Sequence, residues 1–85
     1  MEYENLENLG YKLMYDDVVK LLFVKMTDRV VYRLVFLKNE KNYKHDAFSN
    51  DMKSESIGDA YISLRLHKAI GEIIDILGWD GENNV

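Results

Sequence analysis

Residues 29–37 contain a strict two-residue alternation, and this feature most constrains what the chain can fold into. Apolar or aromatic side chains recur at Val30, Tyr32, Leu34 and Phe36. Successive side chains of a β-strand point to opposite faces, so the pattern predicts a strand with one face turned towards a core. The intervening positions mix arginine with aliphatic residues, which predicts a second face that is only partly covered.

Two further stretches before this strand have strand-like composition. Residues 11–15 and 18–26 are rich in β-branched and aromatic side chains, Asp16-Asp17 separates them, and Thr27-Asp28 is suited to a tight turn. An additional edge strand is expected near residues 43–48. We therefore predict an antiparallel meander of three or four strands joined by short turns.

The second of these strands is apolar on both faces, so its pattern does not by itself show which side chains face the core. We interpret Leu22 and Val24 as core residues. Val19, Leu21 and Phe23 are then placed on the far face of the sheet. A strand that packs against a core on just one side requires a single apolar face. The second apolar face of this strand is therefore expected to be covered as well.

Residues 56–78 predict a C-terminal helix packed across one face of the sheet. Ser56 and Asp59 resemble a capping box, and Gly78 is suited to a C-cap. The alternative is a strand over residues 60–66 followed by a shorter helix over 68–77, because apolar and polar residues also alternate there. The helical interpretation places one apolar stripe on the core side: Ile62, Leu66, Ala69, Ile70, Ile73, Ile76 and Leu77.

The ends complete one predicted α+β domain spanning residues 1–85. Residues 1–9 are expected to form a short helix or a frayed arm, which would cover the far sheet face if it packs there. Asn50–Glu55 is expected to be a loop and residues 79–85 a polar tail, with Trp79 folding back to close the core. The predicted core consists of Leu22, Val24, Val30, Tyr32, Leu34, Phe36, Leu66, Ile70, Ile73 and Leu77.

Composition excludes several classes of function. The chain has 85 residues, 47% of them hydrophobic and 31% charged, which fits a small globular domain and not a disordered segment. It has no cysteine, so disulfides, zinc–thiolate sites and cysteine nucleophiles are absent, and a reducing cytoplasmic location is expected. The acidic N-terminus lacks the apolar core of a signal peptide, and no apolar run is long enough to span a bilayer.

The residue pattern contains no catalytic or metal-binding motif. His45 and His67 have no ligand spacing, and we interpret both as ordinary surface or boundary residues. Acids at Glu72 and Asp75 are expected on the solvated face of the helix. No cofactor, no metal ion and no catalytic residue is therefore predicted, and a small metal-free enzyme remains only as a minor alternative.

Surplus apolar surface is the positive functional signal. On the helical interpretation Ile57, Tyr61 and Leu64 form a second apolar patch, opposite the core stripe. Together with Val19, Leu21 and Phe23 on the far sheet face, they exceed what one sheet–helix interface can bury. Exposed apolar patches mark interaction sites, although burial within the fold would also account for the pattern. These six residues are the predicted contact with another protein, or with a second copy in a homodimer.

Charge is distributed unevenly and suggests a second hypothesis. Residues 29–53 carry six bases and three acids, whereas the chain as a whole has a net charge of −4. Lys38, Lys41, Lys44 and Tyr43 are therefore the candidates for contact with nucleic acid. Lysines that guard strand ends explain the same pattern, and an acidic chain is a poor general nucleic-acid binder.

The predicted function is therefore a non-enzymatic protein-binding module. Small size, the absence of cysteine and mild acidity are typical of phage and mobile-element accessory proteins, some of which inhibit or regulate enzymes of a bacterial host. Nucleic-acid binding through residues 38–44 is the first alternative. The molar mass in solution would show whether the surplus apolar surface pairs with itself.

Overall fold

Within the residues that the structure describes, five antiparallel strands form one sheet with the order β1-β2-β3-β4-β5, and the two helices lie on the same side of it. The structure, a computed structural model, describes residues 3–50 and 56–79. The predicted α+β meander with a C-terminal helix is confirmed, and these described ranges contain five strands instead of the predicted three or four. The elements are α1 (Glu4–Asn8), β1 (Lys12–Asp16), β2 (Lys20–Met26), β3 (Val30–Leu37), β4 (Asn42–Ser49), β5 (Ser56–Asp59) and α2 (Leu64–Leu77).

Short turns with side-chain hydrogen bonds hold the meander in register. The carboxylate of Asp17 accepts hydrogen bonds from the backbone amides of Val19 (2.8 Å) and Lys20 (2.9 Å) at the β1–β2 turn. These two bonds lower the pKa of Asp17 below its usual value. Thr27 closes the β2–β3 turn, since its hydroxyl donates to the Val30 carbonyl and its backbone amide donates to the same group. The predicted turn at Thr27-Asp28 is thus confirmed, whereas the β1–β2 turn begins at Asp17, because Asp16 still belongs to β1.

The register between β2 and β3 decides which face of β2 is buried. Leu21 pairs with Phe36 and Phe23 pairs with Leu34, so all four side chains lie on the helix side of the sheet. Leu21 and Phe23 are 0% exposed, and their assignment to the far face was wrong. Leu22 and Val24 alternate with them and are only partly buried on the opposite face, so their assignment to the core was also wrong.

The buried core lies between the sheet and the two helices. Leu34, Phe36, Leu66, Ile70 and Ile73 are buried as predicted, whereas Val30, Tyr32 and Leu77 are only half-buried. Trp79 folds back against Phe36, with ring centroids 6.1 Å apart, as expected. The core cluster contains Leu6, Tyr11, Leu21, Phe23, Leu34, Phe36, Leu66, Ala69, Ile70 and Ile73.

The N-terminal segment forms a helix, and this helix packs on the same side of the sheet as α2. Leu6 is 1% exposed within the core, and the Tyr3 ring meets the Phe23 ring edge-on at 5.2 Å. The far sheet face is therefore not covered by residues 3–9, although the sequence allowed that. Within the described residues this face carries a salt bridge between Arg33 and Asp46 (2.8 Å) beside half-buried Val35 and buried Val31.

The predicted single helix over residues 56–78 is wrong at its N-terminal end. Residues Ser56–Asp59 form β5, with Gly58 at φ 112°, and pair with β4. The helix begins at Leu64 because Ser63 is its N-cap, and the Ser63 hydroxyl accepts a hydrogen bond from the Leu66 amide (3.1 Å). Neither the single helix nor a strand over 60–66 is therefore observed. Gly78 is the C-cap, in the left-handed conformation, as predicted.

Residues 1–2, 51–55 and 80–85 lie outside the described residues. The predicted loop Asn50–Glu55 falls there from residue 51 onwards, as does the tail from residue 80. Among the helices that are described, neither is long and apolar enough to cross a membrane.

Candidate functional site at the N-terminal end of α2

An open cleft of about 500 Å³ lies on the helix side of the sheet, next to the first turn of α2. Tyr32 on β3 faces Ala47 on β4 in its floor, and His45 lies two positions from Ala47 on the same face of β4. Tyr11 and Lys25 belong to the wall nearest β1 and β2. We call this feature the His45 cleft. Its size and mainly apolar lining are those of pockets that bind ligands or partner side chains.

The extended link between β5 and α2 explains why the cleft remains open. Because α2 begins only at Leu64, residues 60–63 form a link without regular secondary structure, and Ala60, Tyr61 and Ser63 of this link line the cleft. The backbone amide of Ala60 donates to the carbonyl of His45 (3.0 Å), which ties the link to β4. Tyr61 follows directly and is thereby held at the edge of the cleft.

A buried polar pair joins the two sides of the cleft. The Tyr11 hydroxyl and His45 Nε2 are 2.7 Å apart, and the two residues are 5% and 6% exposed. The Tyr32 ring stacks on the imidazole, with a centroid distance of 5.9 Å and an interplanar angle of 20°. A hydrogen bond between two buried groups satisfies both, whereas either group left alone would carry a desolvation cost.

Burial keeps both members of this pair neutral near pH 7. Desolvation raises the pKa of Tyr11 to about 12, and the nearby Tyr32 hydroxyl contributes to the rise. Desolvation also lowers the pKa of His45 below its ordinary value, although the backbones of Ala60 and Tyr61 and the charge of Asp46 oppose this. With both groups neutral, the bond has one donor: either the phenol donates to Nε2, with the ring proton on Nδ1, or Nε2–H donates to the phenol oxygen.

His45 Nδ1 has no hydrogen-bond partner of ordinary geometry among the described residues. The nearby backbones of Ala60 and Tyr61 favour a proton on this ring but provide no well-formed acceptor. With a neutral phenol and a neutral imidazole, neither of which is exposed, the pair resembles a structural cross-link more than an acid–base catalyst. Its main effect is to fix the position of Tyr11 against β4.

The rim of the cleft carries exposed apolar side chains. Tyr61 is 101% exposed, Leu64 is 84% exposed and Ile57 is 57% exposed. Ile57 and Tyr61 line the cleft, and Leu64 follows the N-cap of α2. We call these three residues the Tyr61 rim. They were predicted as a second face of one helix, which is wrong, but the structure does bring them to one end of the molecule.

The other three predicted contact residues do not join this rim. Leu21 and Phe23 are buried in the core and cannot touch a partner of the folded chain. Val19 is 49% exposed, but it lies in the β1–β2 turn at the opposite edge of the sheet from β5. The predicted six-residue surface is therefore reduced to three residues at one edge and one at the other.

The four candidates for nucleic-acid contact do not form one surface. The Lys38 ammonium group binds the Asp16 carboxylate (2.8 Å) and the Asp17 carbonyl oxygen (2.6 Å). Tyr43 lies on the helix side, where its ring centroid is 5.8 Å from that of Phe36. Lys44 alternates with Tyr43 on β4 and is exposed on the far face, and Lys41 lies in the β3–β4 turn. Nucleic-acid contact by these residues thus lacks a common platform.

Lys25 and Asp59 line the cleft, but Asp59 pairs with Asp46 in the sheet, so its carboxylate points to the far face that carries the Arg33–Asp46 salt bridge. The Lys25 ammonium group lies 5.8 Å from the centroid of the Tyr11 ring, which is a cation–π distance. Neither Lys25 nor Asp59 forms an ion pair with any residue in 3–50 or 56–79. Of these two charges, only that of Lys25 lies on the cleft side of the sheet, beside apolar walls.

Sequence reasoning missed the central pair of the site. His45 was interpreted as a surface or boundary residue, and its burial corrects that interpretation, whereas His67 is exposed as expected. The alternation of Tyr43, His45 and Ala47 was the available signal, since it places His45 on the inward face of β4. Across the described part of the chain, no three His, Asp or Glu side chains group closely enough to hold a metal ion.

Comparisons with known proteins give no family. The chain matches no protein-family model, and it has no significant similarity to a curated protein or to a solved structure.

Proposed function

We propose that this chain is a non-enzymatic module that binds another protein through the Tyr61 rim and the His45 cleft. The observation that carries the proposal is the exposure of Tyr61 (101%) and Leu64 (84%) beside an apolar cleft. Large aromatic and aliphatic side chains in such a position are typical of the anchors of protein interfaces. A regulatory or inhibitory role towards an enzyme of a bacterial host extends the proposal and stays a prediction.

The local geometry favours binding over catalysis. The titratable groups with shifted pKa values at the cleft are Tyr11 and His45, and they satisfy each other at 2.7 Å. A nucleophile with an adjacent base, or an acid and a base facing a common point, would favour an enzyme. The rim instead offers apolar area at low entropic cost, because the first turn of α2 and the bond from Ala60 to β4 hold its backbone.

Selection from a random-peptide phage library tests this proposal. We expect the immobilised chain to enrich peptides whose affinity, measured by fluorescence polarisation, falls at least tenfold in Tyr61→Ser and in Leu64→Ser. A tenfold loss corresponds to about 1.4 kcal/mol, the amount expected for truncating one interface anchor. Both residues are exposed, so thermal melting of the variants should match that of the parent chain within about 0.5 kcal/mol.

Val18→Ser is the matched control, since Val18 has the same fractional exposure as Leu64, 84%, but lies in the β1–β2 turn, at the opposite edge of the sheet. This control should leave the affinity of the selected peptides unchanged. Failure to enrich any peptide, or enrichment of peptides that bind all three variants equally well, would count against a protein-binding role for the rim.

A further inference from the structure

The side of the sheet that faces away from the helices is a second surface, and neither described helix covers it. Directly paired residues of antiparallel strands point to the same side, so the strand register identifies its side chains. Leu22 and Val35 pair with each other at its centre and are half-buried, and Val31 on β3 is 8% exposed. Tyr15, which pairs with Leu22 from the edge strand β1, is 49% exposed. We call the surface around Leu22, Val31 and Val35 the Val35 face.

Basic side chains outnumber acidic ones on the Val35 face. The charged strand residues that the register places there are four bases and two acids: Lys12, Lys20, Arg33, Lys44, Asp46 and Asp59. Their net charge is +2, whereas the whole chain has a net charge of −4. Arg33 and Asp46 neutralise each other at 2.8 Å, but none of the three lysines forms an ion pair with a residue in the described ranges. The face is therefore a positively charged surface on an acidic protein.

The three unpaired lysines lie around the apolar centre and not in one cluster. The strand pairings place Lys12 on the edge strand β1, Lys20 at the start of β2 and Lys44 on β4. With strands about 4.8 Å apart and a rise of about 3.4 Å per residue, their Cα atoms are separated by roughly 12–16 Å. The Lys20 ammonium group also lies 5.2 Å from the centroid of the Tyr15 ring. An apolar centre with a charged rim is the usual composition of a protein interface.

We propose that the Val35 face binds a segment of another protein in which aliphatic side chains are flanked by carboxylates. The aliphatic side chains cover Leu22, Val31 and Val35, and the carboxylates meet the three lysines, since complementary charges across an interface select the partner. This site is separate from the Tyr61 rim, because the His45 cleft that the rim borders lies on the helix side of the sheet.

Two other occupants fit the Val35 face less well. A second copy placed face to face opposes two surfaces of the same net charge, which costs free energy. A nucleic acid satisfies the lysines, but its bases stack on aromatic rings. The aromatic strand residues of this face are Tyr15 and Phe48, which lie on β1 and β4 with the aliphatic centre between them. The Arg33 guanidinium already lies 5.7 Å from the centroid of the Phe48 ring. An acidic protein segment therefore agrees best with both the charge and the aliphatic centre.

Selection from a random-peptide phage library tests this assignment, with the Tyr61→Ser chain as bait so that the rim contributes less. We expect the enriched peptides to combine an excess of aspartate and glutamate with aliphatic residues. Their affinity, measured by fluorescence polarisation, should fall about tenfold or more when Lys12→Glu and Lys44→Glu are introduced together, because attraction becomes repulsion on two sides of the face. It should also fall as the salt concentration rises from about 50 to 500 mM.

Arg65→Glu together with Lys68→Glu is the matched control. Both residues are exposed on α2, on the helix side of the sheet, so the same change in net charge leaves the Val35 face intact. The control should keep the original affinity within about twofold at about 0.15 M salt, which screens charges on the opposite side of the molecule. Circular dichroism establishes that both double variants are folded, as expected for exposed positions. Peptides without an excess of acids, or peptides that bind both double variants equally well, overturn the proposal.

Direct binding assays separate the other two occupants. A fluorescein-labelled oligothymidylate of about 20 nucleotides is expected to bind no more tightly than roughly 100 µM, the weak limit of non-specific binding. Tighter binding that Lys12→Glu with Lys44→Glu abolishes overturns the proposal and assigns the face to nucleic acid. A dimer in sedimentation equilibrium that the same double variant alters, and that the control on α2 does not, overturns it in favour of a second copy.

Discussion

On the helix side of the sheet, the two ends of the molecule differ in how their side chains pack. Under α2 the face is closed and apolar: Phe23 and Phe36 meet edge-to-face with centroids 6.3 Å apart, and Ile70 and Ile73 are each 1% exposed. Beyond the N-cap Ser63, the same face is open, and a polar pair replaces the aliphatic packing. Close packing under the helix supplies stability, whereas the open end supplies a cleft and an exposed rim. Substitutions at the two ends should therefore have different consequences.

The largest effect is expected from Ile73→Asp at the closed end. Ile73 is 1% exposed, so its replacement buries a carboxylate without a partner and removes packing against the sheet. We expect a loss of several kcal/mol, which is most of the stability of a domain of this size, and an unfolded chain by circular dichroism. Ile76→Asp is the matched control, because Ile76 on the same helix is 44% exposed.

The control should fold and melt within about 1 kcal/mol of the parent chain, since a substitution at a largely exposed position removes little packing. A folded Ile73→Asp variant with unchanged melting would mean that Ile73 does not face the sheet. The position of α2, and with it the contrast between the two ends, would then be wrong.

The closed end was largely predictable from the sequence, and the errors there have a clear origin. The alternation in β3 is marked by arginines on one side only, so its inward face was identified correctly. In β2 the run Leu21, Leu22, Phe23 and Val24 is apolar on both faces, so no charged residue in it identifies the outward face. Only the pairing of Leu21 with Phe36 and Phe23 with Leu34 decides the register, and that information is non-local.

The open end was less predictable because competing local signals overlap there. Ser56 and Ser63 both precede apolar residues at helical spacing, and only Ser63 becomes the N-cap. No helix begins at Ser56, because Gly58 has a φ of 112° and the strand β5 that contains both residues pairs with β4. The bond between Tyr11 and His45 joins residues 34 positions apart, and a single sequence carries no direct sign of such a contact.

Tyr11→Phe tests whether the polar pair stabilises the open end. The substitution keeps the ring but removes the hydroxyl, and it leaves His45 Nε2 buried without its partner at 2.7 Å. We expect a loss of about 1–2 kcal/mol in urea unfolding, the usual cost of an unsatisfied buried polar atom. Tyr61→Phe is the control, since that side chain is fully exposed and its hydroxyl should contribute less than about 0.5 kcal/mol. Equal stability of the two variants would show that the pair contributes nothing.

The smallest expected effect is a dependence of stability on pH that originates at the open end. Burial lowers the pKa of His45 in the folded chain below its ordinary value of 6.5. The unfolded chain therefore binds a proton more readily than the folded chain does between these two values. Stability is fully present above about pH 6.5 and is lost as the pH falls towards the folded pKa, with a slope of at most about 1.4 kcal/mol per pH unit.

Urea unfolding at intervals between pH 5 and 8 measures this slope, and two variants assign it to a residue. His45→Gln should abolish the slope even if the variant is less stable at every pH, whereas His67→Gln, at an exposed position, should retain it. Contributions from Asp17 and Asp46, whose pKa values are lowered from 3.8, are lost only at more acidic pH, and that of Tyr11 only above pH 10. A slope that persists in His45→Gln would mean that this imidazole is not the group that titrates. The open end would then resemble the closed end, with no titrating group of its own near neutral pH.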